Sequence, residues 1–261
     1  DGRMAHLLWD PAAGRIDAAG LEGHDAVIHL AGESVAGLWT RRKRAAIHDS
    51  RVDGTRLLAE TLAGLERPPA TLISASAIGY YGDRGPEPID ETSPPGQGFL
   101  ARTGVAWEAA TAPAERAGIR VAHLRFGLIL AREGGLLPVM LPAFKLGLGA
   151  RLGDGRQCMP WVTLDDAVGA IVHLLAHDEV SGPVNVVAPE TVTNAEFTRA
   201  LARAVGRPTI FRVPATLLRL VLRDQADEML LGGACVVPRR LIDSGYEFRN
   251  PRLDGALRAL A

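Results

Sequence analysis

Apolar residues along this chain fall alternately into short unbroken runs and longer stretches of helical spacing. Ala26–Leu30 (AVIHL), Ile119–Phe126 and Pro183–Val187 have the length and content of buried strands. Residues 5–9 (AHLLW) read as a further short strand, ended by Asp10-Pro11. Between these runs apolar positions recur every three or four residues. Thr40 opens a long helix carrying Ile47, Val52, Leu57, Leu58 and Leu62, and a second helix is expected around Ala101–Arg116. A third follows Asp165-Asp166, which are expected to cap it. A fourth opens at the capping box Thr193-Asn194-Ala195-Glu196, sets Phe197, Leu201 and Val205 on one face and stops at Gly206-Arg207-Pro208. Asp83–Gly98 reads as a polar loop, Gly134-Gly135 starts a segment rich in Gly, Leu and Pro, and Leu217–Leu222 is a late apolar helix.

Strands separated by helical segments mean βαβ units, hence an α/β fold with a Rossmann-type doubly wound parallel sheet. The handedness of such units puts the strand ends at Gly32, Ser76 and Phe126 on one edge, where open α/β sheets bind ligands. Thr71–Gly82 (TLISASAIGYYG) is the stretch shaped for that task. It begins with Leu72 and Ile73, then sheds its bulk into Ser74-Ala75-Ser76-Ala77 before two tyrosines and a glycine. A strand that loses its side chains at the carboxyl end leaves room for something flat. The expected division is a dinucleotide-binding domain over 1–190, with 131–160 lining the substrate side, and a small C-terminal cap over 191–261.

Composition narrows the partners. The 261 residues are 47% hydrophobic and 23% charged, with a net charge of −1, an ordinary globular balance with no basic footprint for nucleic acid. No apolar run is long enough to span a bilayer. Cys158 and Cys235 have no CxxC partner, so neither a zinc site nor a disulfide is expected, and a reducing cytoplasm fits. His173 and His177 are four apart on a helix, but with no third ligand evident they read as a solvated face, so no metal is expected. Lysine occurs only at positions 43 and 145.

Several stretches together resemble an extended short-chain dehydrogenase/reductase of the NAD-dependent epimerase/dehydratase type. They are Val27–Gly32 (VIHLAG), Arg51–Leu58 (RVDGTRLL, against N-V-x-G-T-x-x-L-L), Ser74–Gly82, Leu124–Leu130 (LRFGLIL) and Trp161–Ala167 (WVTLDDA). SASAIGYYG, Gly147–Trp161 and the later RVPATLLRL and LGG are similar to an epimerase-like subfamily sometimes labelled cell-division inhibitor-like. The resemblance implies NADP(H) as cofactor, with NAD(H) as the alternative. It also implies a small-molecule substrate, a nucleotide sugar or carbonyl compound, and allows a homodimer.

Two departures stand out. The family opens with a strand and a G-x-x-G-x-x-G turn that seats the pyrophosphate on a helix N-terminus, and no stretch here matches it. A strand, glycine turn, helix and strand of about 40 residues is therefore expected ahead of Asp1. The family's Tyr-x-x-x-Lys pair, in which the tyrosine exchanges a proton with substrate, is absent as well. Position 39 is Trp and position 141 is Leu, and the family's helix sets Leu100 at the tyrosine and Gly104 at the lysine. Arg51 stands at the asparagine position. Of the tetrad only a serine remains, Ser76 or, one register off, Ser74.

The catalytic candidates are thus Ser76 and Tyr81, with Tyr80 as Tyr81's rival. Cofactor contacts are expected from Leu30, Ala31, Gly32, Ser74, Ala75 and Arg125, with Asp10 near the adenine. Arg125, a charge in a buried strand, needs an ion-pair partner or an anion. Gln157 and Trp161 flank a glycine-rich loop and are the substrate-side candidates. Two other readings stand beside this one. One is a cofactor-binding sensor or interaction protein that has lost the chemistry. The other is an α/β-hydrolase with Ser34 as nucleophile in Gly32-Glu33-Ser34-Val35-Ala36.

Overall fold

The computed structural model describes residues 6–261. Its first elements are a small antiparallel pair, β1 (Trp9–Asp10) and β2 (Arg15–Ile16), followed by β3 (Ala26–His29) and the long helix α1 (Arg41–Ala63). The expected strand over 5–9 is corrected in part. Its first residue lies outside the described ones, residues 6–8 are not strand, and Trp9 pairs in the little hairpin. Pro11 cannot donate to a ladder, and Asp10 turns the chain by accepting from Ala13 N–H.

β4 (Thr71–Ala77) runs into a 3-10 turn at Ile78–Tyr81. The expected loop over 83–98 contains β5 (Gly85–Ile89), whose prolines hid it from any alternation pattern. The expected helix over 101–116 is two helices, α2 (Phe99–Ala109) and α3 (Ala112–Arg116), the break falling just ahead of Pro113. β6 (Arg120–Phe126), β7 (Leu128–Leu130), α4 (Leu137–Lys145), β8 (Ala150–Leu152), β9 (Trp161–Thr163), α5 (Leu164–Ala176) and β10 (Gly182–Val186) follow. The chain closes with α6 (Asn194–Ala204), β11 (Phe211–Val213), α7 (Ala215–Leu222), α8 (Asp224–Ala226), β12 (Ala234–Val236), α9 (Arg239–Asp243) and α10 (Leu253–Leu260).

The central sheet is parallel throughout, in the order β10-β6-β4-β3. Its register sets Ser74 between His29 and His123, and Ser76 beside Arg125. Leu58, Ala59 and Leu62 of α1 pack on Leu72 and Val121 on one face, and Ala167, Ala170 and Leu174 of α5 pack with Ile73, Leu124 and Val184 on the other. The doubly wound arrangement follows, because strands apolar on both faces need helices on both.

The C-terminal part is woven into the rest. β11 pairs with β8 and β12 with β5, and one core joins Leu130, Leu137 and Trp161 to Phe197, Leu201 and Leu257. Thr163, not Asp165 or Asp166, caps α5, accepting from Asp166 N–H. Asp166 is buried and accepts from Arg249 N–H at 2.7 Å and Asn250 N–H at 2.9 Å, so it anchors the C-terminal strap. Cys158 and Cys235 form a disulfide with Cα atoms 5.1 Å apart, which corrects the expectation of unpaired cysteines and removes the cysteine argument for a reducing compartment. Spacing gave no sign of it, because the two lie 77 positions apart and β12 has to come home first.

Candidate functional site

The carboxyl ends of β4, β6 and β10 carry a continuous chain of polar groups. Ser76 Oγ donates to Glu108 Oε1 at 2.7 Å. Arg125 grips the same carboxylate with both edges of its fork, Nε to Oε1 at 2.8 Å and Nη2 to Oε2 at 2.7 Å. Its remaining nitrogen, Nη1, donates to Tyr81 Oη at 2.8 Å, and Tyr81 Oη donates to Asn185 Oδ1 at 2.7 Å. Asn185 N–H in turn donates to Glu91 Oε1 at 3.0 Å. The chain exists because β4 and β6 place Ser76 and Arg125 side by side, facing α2, whose Glu108 reaches both.

Burial fixes the electrostatics. Desolvation works against the Arg125 charge, but the bidentate carboxylate outweighs it and raises the guanidinium pKa further. Burial likewise pushes the Tyr81 phenol up, against the pull of Arg125. Glu91, buried with Oε2 unpaired, is raised by desolvation. A second polar cluster lies beneath, where His29 Nε2 is 3.1 Å from Thr55 Oγ1 and Trp107 Nε1 donates to the same hydroxyl at 2.9 Å.

Of the residues expected at the site, Ser76, Tyr81 and Arg125 come together, but in the interior. Tyr81 is wholly buried and its hydroxyl is engaged on both sides, so it does not face the crevice as an acid. Arg125 takes the ion-pair option rather than an open anion site. Tyr80 is half-buried, its ring 3.5 Å from the Arg125 guanidinium carbon. Ser74 is fully buried and Ala75 nearly so. Leu30, Ala31 and Gly32 are exposed at the exit of β3, where Leu30 and Ala31 line a cleft of about 250 Å³ with Leu8, Trp9 and Ile28. Asp10 adjoins that cleft through Trp9 and holds Arg15 at 2.8 Å. Gln157 spends its amide on Leu230 O at 2.6 Å, and Trp161 is buried in the lobe core, so neither lines an open pocket. Ser34 is exposed and accepts from Ala36 N–H, with α1 starting only at Arg41, so there is no nucleophile elbow. His173 Nε2 is 2.9 Å from Ser244 Oγ and its ring stacks on His177, and the described residues hold no cluster with metal-ligand geometry.

Sequence reading passed over Glu108, Asn185 and the role of Arg51. The Arg51 guanidinium donates to Glu33 O at 2.8 Å, lies over the Trp107 ring and stands beside Gly32, where an added Cβ would meet it at 3.4 Å. The signal was there for Glu108, since an arginine buried in a strand demands a carboxylate nearby. Gly104 matters through its size, for a Cβ there would lie 3.3 Å from Tyr80 Cα, so α2 and the Tyr-Tyr turn could not keep their present distance.

A parallel sheet with strand order 10-6-4-3, helices on both faces and a small-residue strand end at its carboxyl edge defines a Rossmann-type architecture, with an open cleft running beside the edge strand β3. The model of the NAD dependent epimerase/dehydratase family matches residues 12–188, and a domain of unknown function, DUF1731, matches residues 213–260. The chain belongs to the NAD-dependent epimerase/dehydratase family. An epimerase family protein of Mycobacterium tuberculosis is 42% identical over 252 residues, 96% of this chain and 83% of that one. The human epimerase family protein SDR39U1 is 34% identical over 259 residues, 97% of this chain and 86% of that one. A crystal structure of the human protein (isoform 2) with NADPH superposes with a TM-score of 0.88 at 34% identity, covering 94% of this chain and 84% of the other. A nucleoside-diphosphate sugar epimerase from Corynebacterium glutamicum gives 0.78 at 34% identity, over 97% of this chain and 49% of that one.

Proposed function

We propose that the protein binds NADP(H) and acts as an oxidoreductase or epimerase-like enzyme on a small molecule, a nucleotide sugar or a carbonyl compound. The observation that carries this is the crevice edge itself. β3 and β4 end side by side in small or exposed residues, Leu30–Gly32 and Ser74–Ala77, with the Arg51 cation beside Gly32. The likeness to a protein crystallised with NADPH supports the same cofactor here. Leu30, Ala31 and Gly32 would pass along the dinucleotide through backbone atoms, and Arg51 is the cation placed to meet its negative charge. When bound, the cofactor supplies hydride transfer. Ser76 is the group of the family tetrad that remains, held in one rotamer by Glu108.

A second reading, a cofactor-binding sensor without turnover, is favoured by one feature. Leu100 and Gly104 stand on α2 where the family carries tyrosine and lysine, and they pack against Gly79 and Tyr80 instead of offering a proton relay. Calorimetric titration with NADPH tests what both readings share, and no binding at millimolar cofactor refutes both. Profiling against sugar nucleotides and carbonyl compounds then separates them. Turnover that Ser76→Ala abolishes establishes the enzyme, and binding without turnover across the panel establishes the sensor.

A further inference from the structure

Residues 214–231 form a strap that is held at both ends and lightly attached between them. It leaves β11 at Pro214, runs through α7, α8 and a π turn (Asp227–Leu231), and rejoins the fold at Gly232-Gly233 ahead of β12. α7 buries none of its residues. The hydrogen bonds that fasten the strap to the sheet half are few. Asp224 pairs with Arg44, Gln225 donates to Gly37 O at 2.9 Å, and Glu228 accepts from Phe99 and Leu100 N–H at 2.8 Å each. Gly37 lies beyond the exit of β3 and Phe99 beyond that of β4, so the strap bridges the segments that follow those two strand ends. Glu228 is also the cap that α2 lacks. Gly98 has no side chain to offer the first N–H groups, and a Cβ there would lie 2.9 Å from the Glu228 carboxyl carbon. Because α2 carries Glu108, the partner of Ser76 and Arg125, this contact ties the strap to the buried polar chain. The trailing end of the strap is fastened by the loop after β8. Gln157 donates to Leu230 O at 2.6 Å, Gly233 packs directly on the Cys158 backbone, and the Cys158–Cys235 disulfide closes the same contact covalently.

We propose that this disulfide is a redox-governed clasp on the strap. Oxidised, it keeps Glu228 seated on α2; reduced, it lets residues 214–231 lift from the ends of β3 and β4. The bond matters to the strap because it shortens the free chain. While it is intact, a lifted strap stays tethered beside its own hinge at Gly232-Gly233 and gains little conformational freedom. Once it is broken, the three-residue pairing of β12 with β5 is left to hold that end. Both cysteines are nearly covered, 7% and 5% exposed, so the reductant has to be a small thiol. Its thiolate attacks one cysteine sulfur, the S–S bond breaks to a mixed disulfide, and the other cysteine leaves as a thiolate that takes up a proton. A second small thiol then displaces the first cysteine, so the products are two cysteine thiols and one small-molecule disulfide. The proposal goes beyond the assignment of NADP(H) and does not depend on it.

The test is amide hydrogen exchange of the folded protein over seconds to minutes, first in oxidised and then in millimolar reduced glutathione. Thiol labelling reports the state of the clasp without ambiguity, because the chain has only these 2 cysteines. The expected result is that both thiols appear in the reduced buffer and vanish on return to the oxidised one. Phe99, Leu100 and residues 224–236 should exchange about tenfold or more faster in the reduced state, while β4 and β6 amides stay protected in both. Cys235→Ser should exchange like the reduced parent in either buffer, and Glu228→Ala should free Phe99 and Leu100 with the disulfide intact. A disulfide that resists reduced glutathione until the protein unfolds would overturn the proposal. So would exchange at Phe99 and Leu100 that neither reduction nor Glu228→Ala moves, or β4 and β6 opening within the same minutes. If Cys235→Ser does not fold, Cys158→Ala and the reduced parent decide.

Discussion

Removing the Glu108 carboxylate gives the sharpest test of the buried polar chain. Arg125 has 3% of its side chain exposed and Glu108 12%, so neither charge falls back on water when its partner is lost. Glu108→Ala leaves a guanidinium uncompensated in the interior, at a cost of about 3–5 kcal/mol. The Ser76 hydroxyl loses its acceptor as well, worth about 1 kcal/mol more. Against a typical domain stability of about 5–15 kcal/mol the variant should be visibly destabilised. Arg125→Met should cost a similar amount, since it strands the carboxylate instead. Glu108→Leu/Arg125→Met, with neither charge present, should recover most of the loss, because a packed apolar pair avoids the desolvation penalty. Urea unfolding of all four proteins measures this directly. If Glu108→Ala costs less than about 1 kcal/mol, or if the double variant loses the sum of the two singles, the pair is not the buried unit described here.

Three further outcomes follow from the same structure. Burial holds the His29 imidazole well below its usual range, at about 4. The unfolded chain therefore binds the proton first as pH falls from 6.5, and about 3 kcal/mol of stability present above that pH is lost towards pH 4. Unfolding free energies across that range should show the slope, and His29→Phe should flatten it. Glu91 behaves oppositely, since burial raises its pKa and stability falls as pH rises above the ordinary glutamate value. Glu91→Gln keeps an acceptor for Asn185 N–H and should remove that decline in the same titration. Reducing the Cys158–Cys235 disulfide opens a loop spanning 77 positions and should lower stability by about 2–5 kcal/mol, read as a fall in Tm alongside a 2 Da gain in intact mass.

The sequence by itself determined the elements that rest on local chemistry. TLIS and the run into LRF read as buried strands and are so, whereas AVIHL, with the same apolar content, forms the edge strand β3 and leaves Ile28 exposed; the helices announced themselves by spacing and by their caps at Thr40 and Thr193. From those alone follows the parallel sheet, while the family was legible only through the likeness of particular motifs such as RVDGTRLL and SASAIGYYG. What the sequence left open was where each polar group would spend its hydrogen bonds. Arg125 was legible as a residue in need of a partner, but Glu108 became that partner only when α2 folded back across β4 and β6. Tyr81 was legible as a phenol near the strand end. Its burial was decided by Asn185, 104 residues later, and by β12 closing over the turn. The disulfide, the strand hidden in Gly85–Ile89 and the Glu228 contact with α2 share that origin, each joining segments more than 70 residues apart. Local pattern fixes a residue's backbone state within a few neighbours. Its burial, charge and partners depend on distant segments that meet only when the sheet and its covering lobe have assembled.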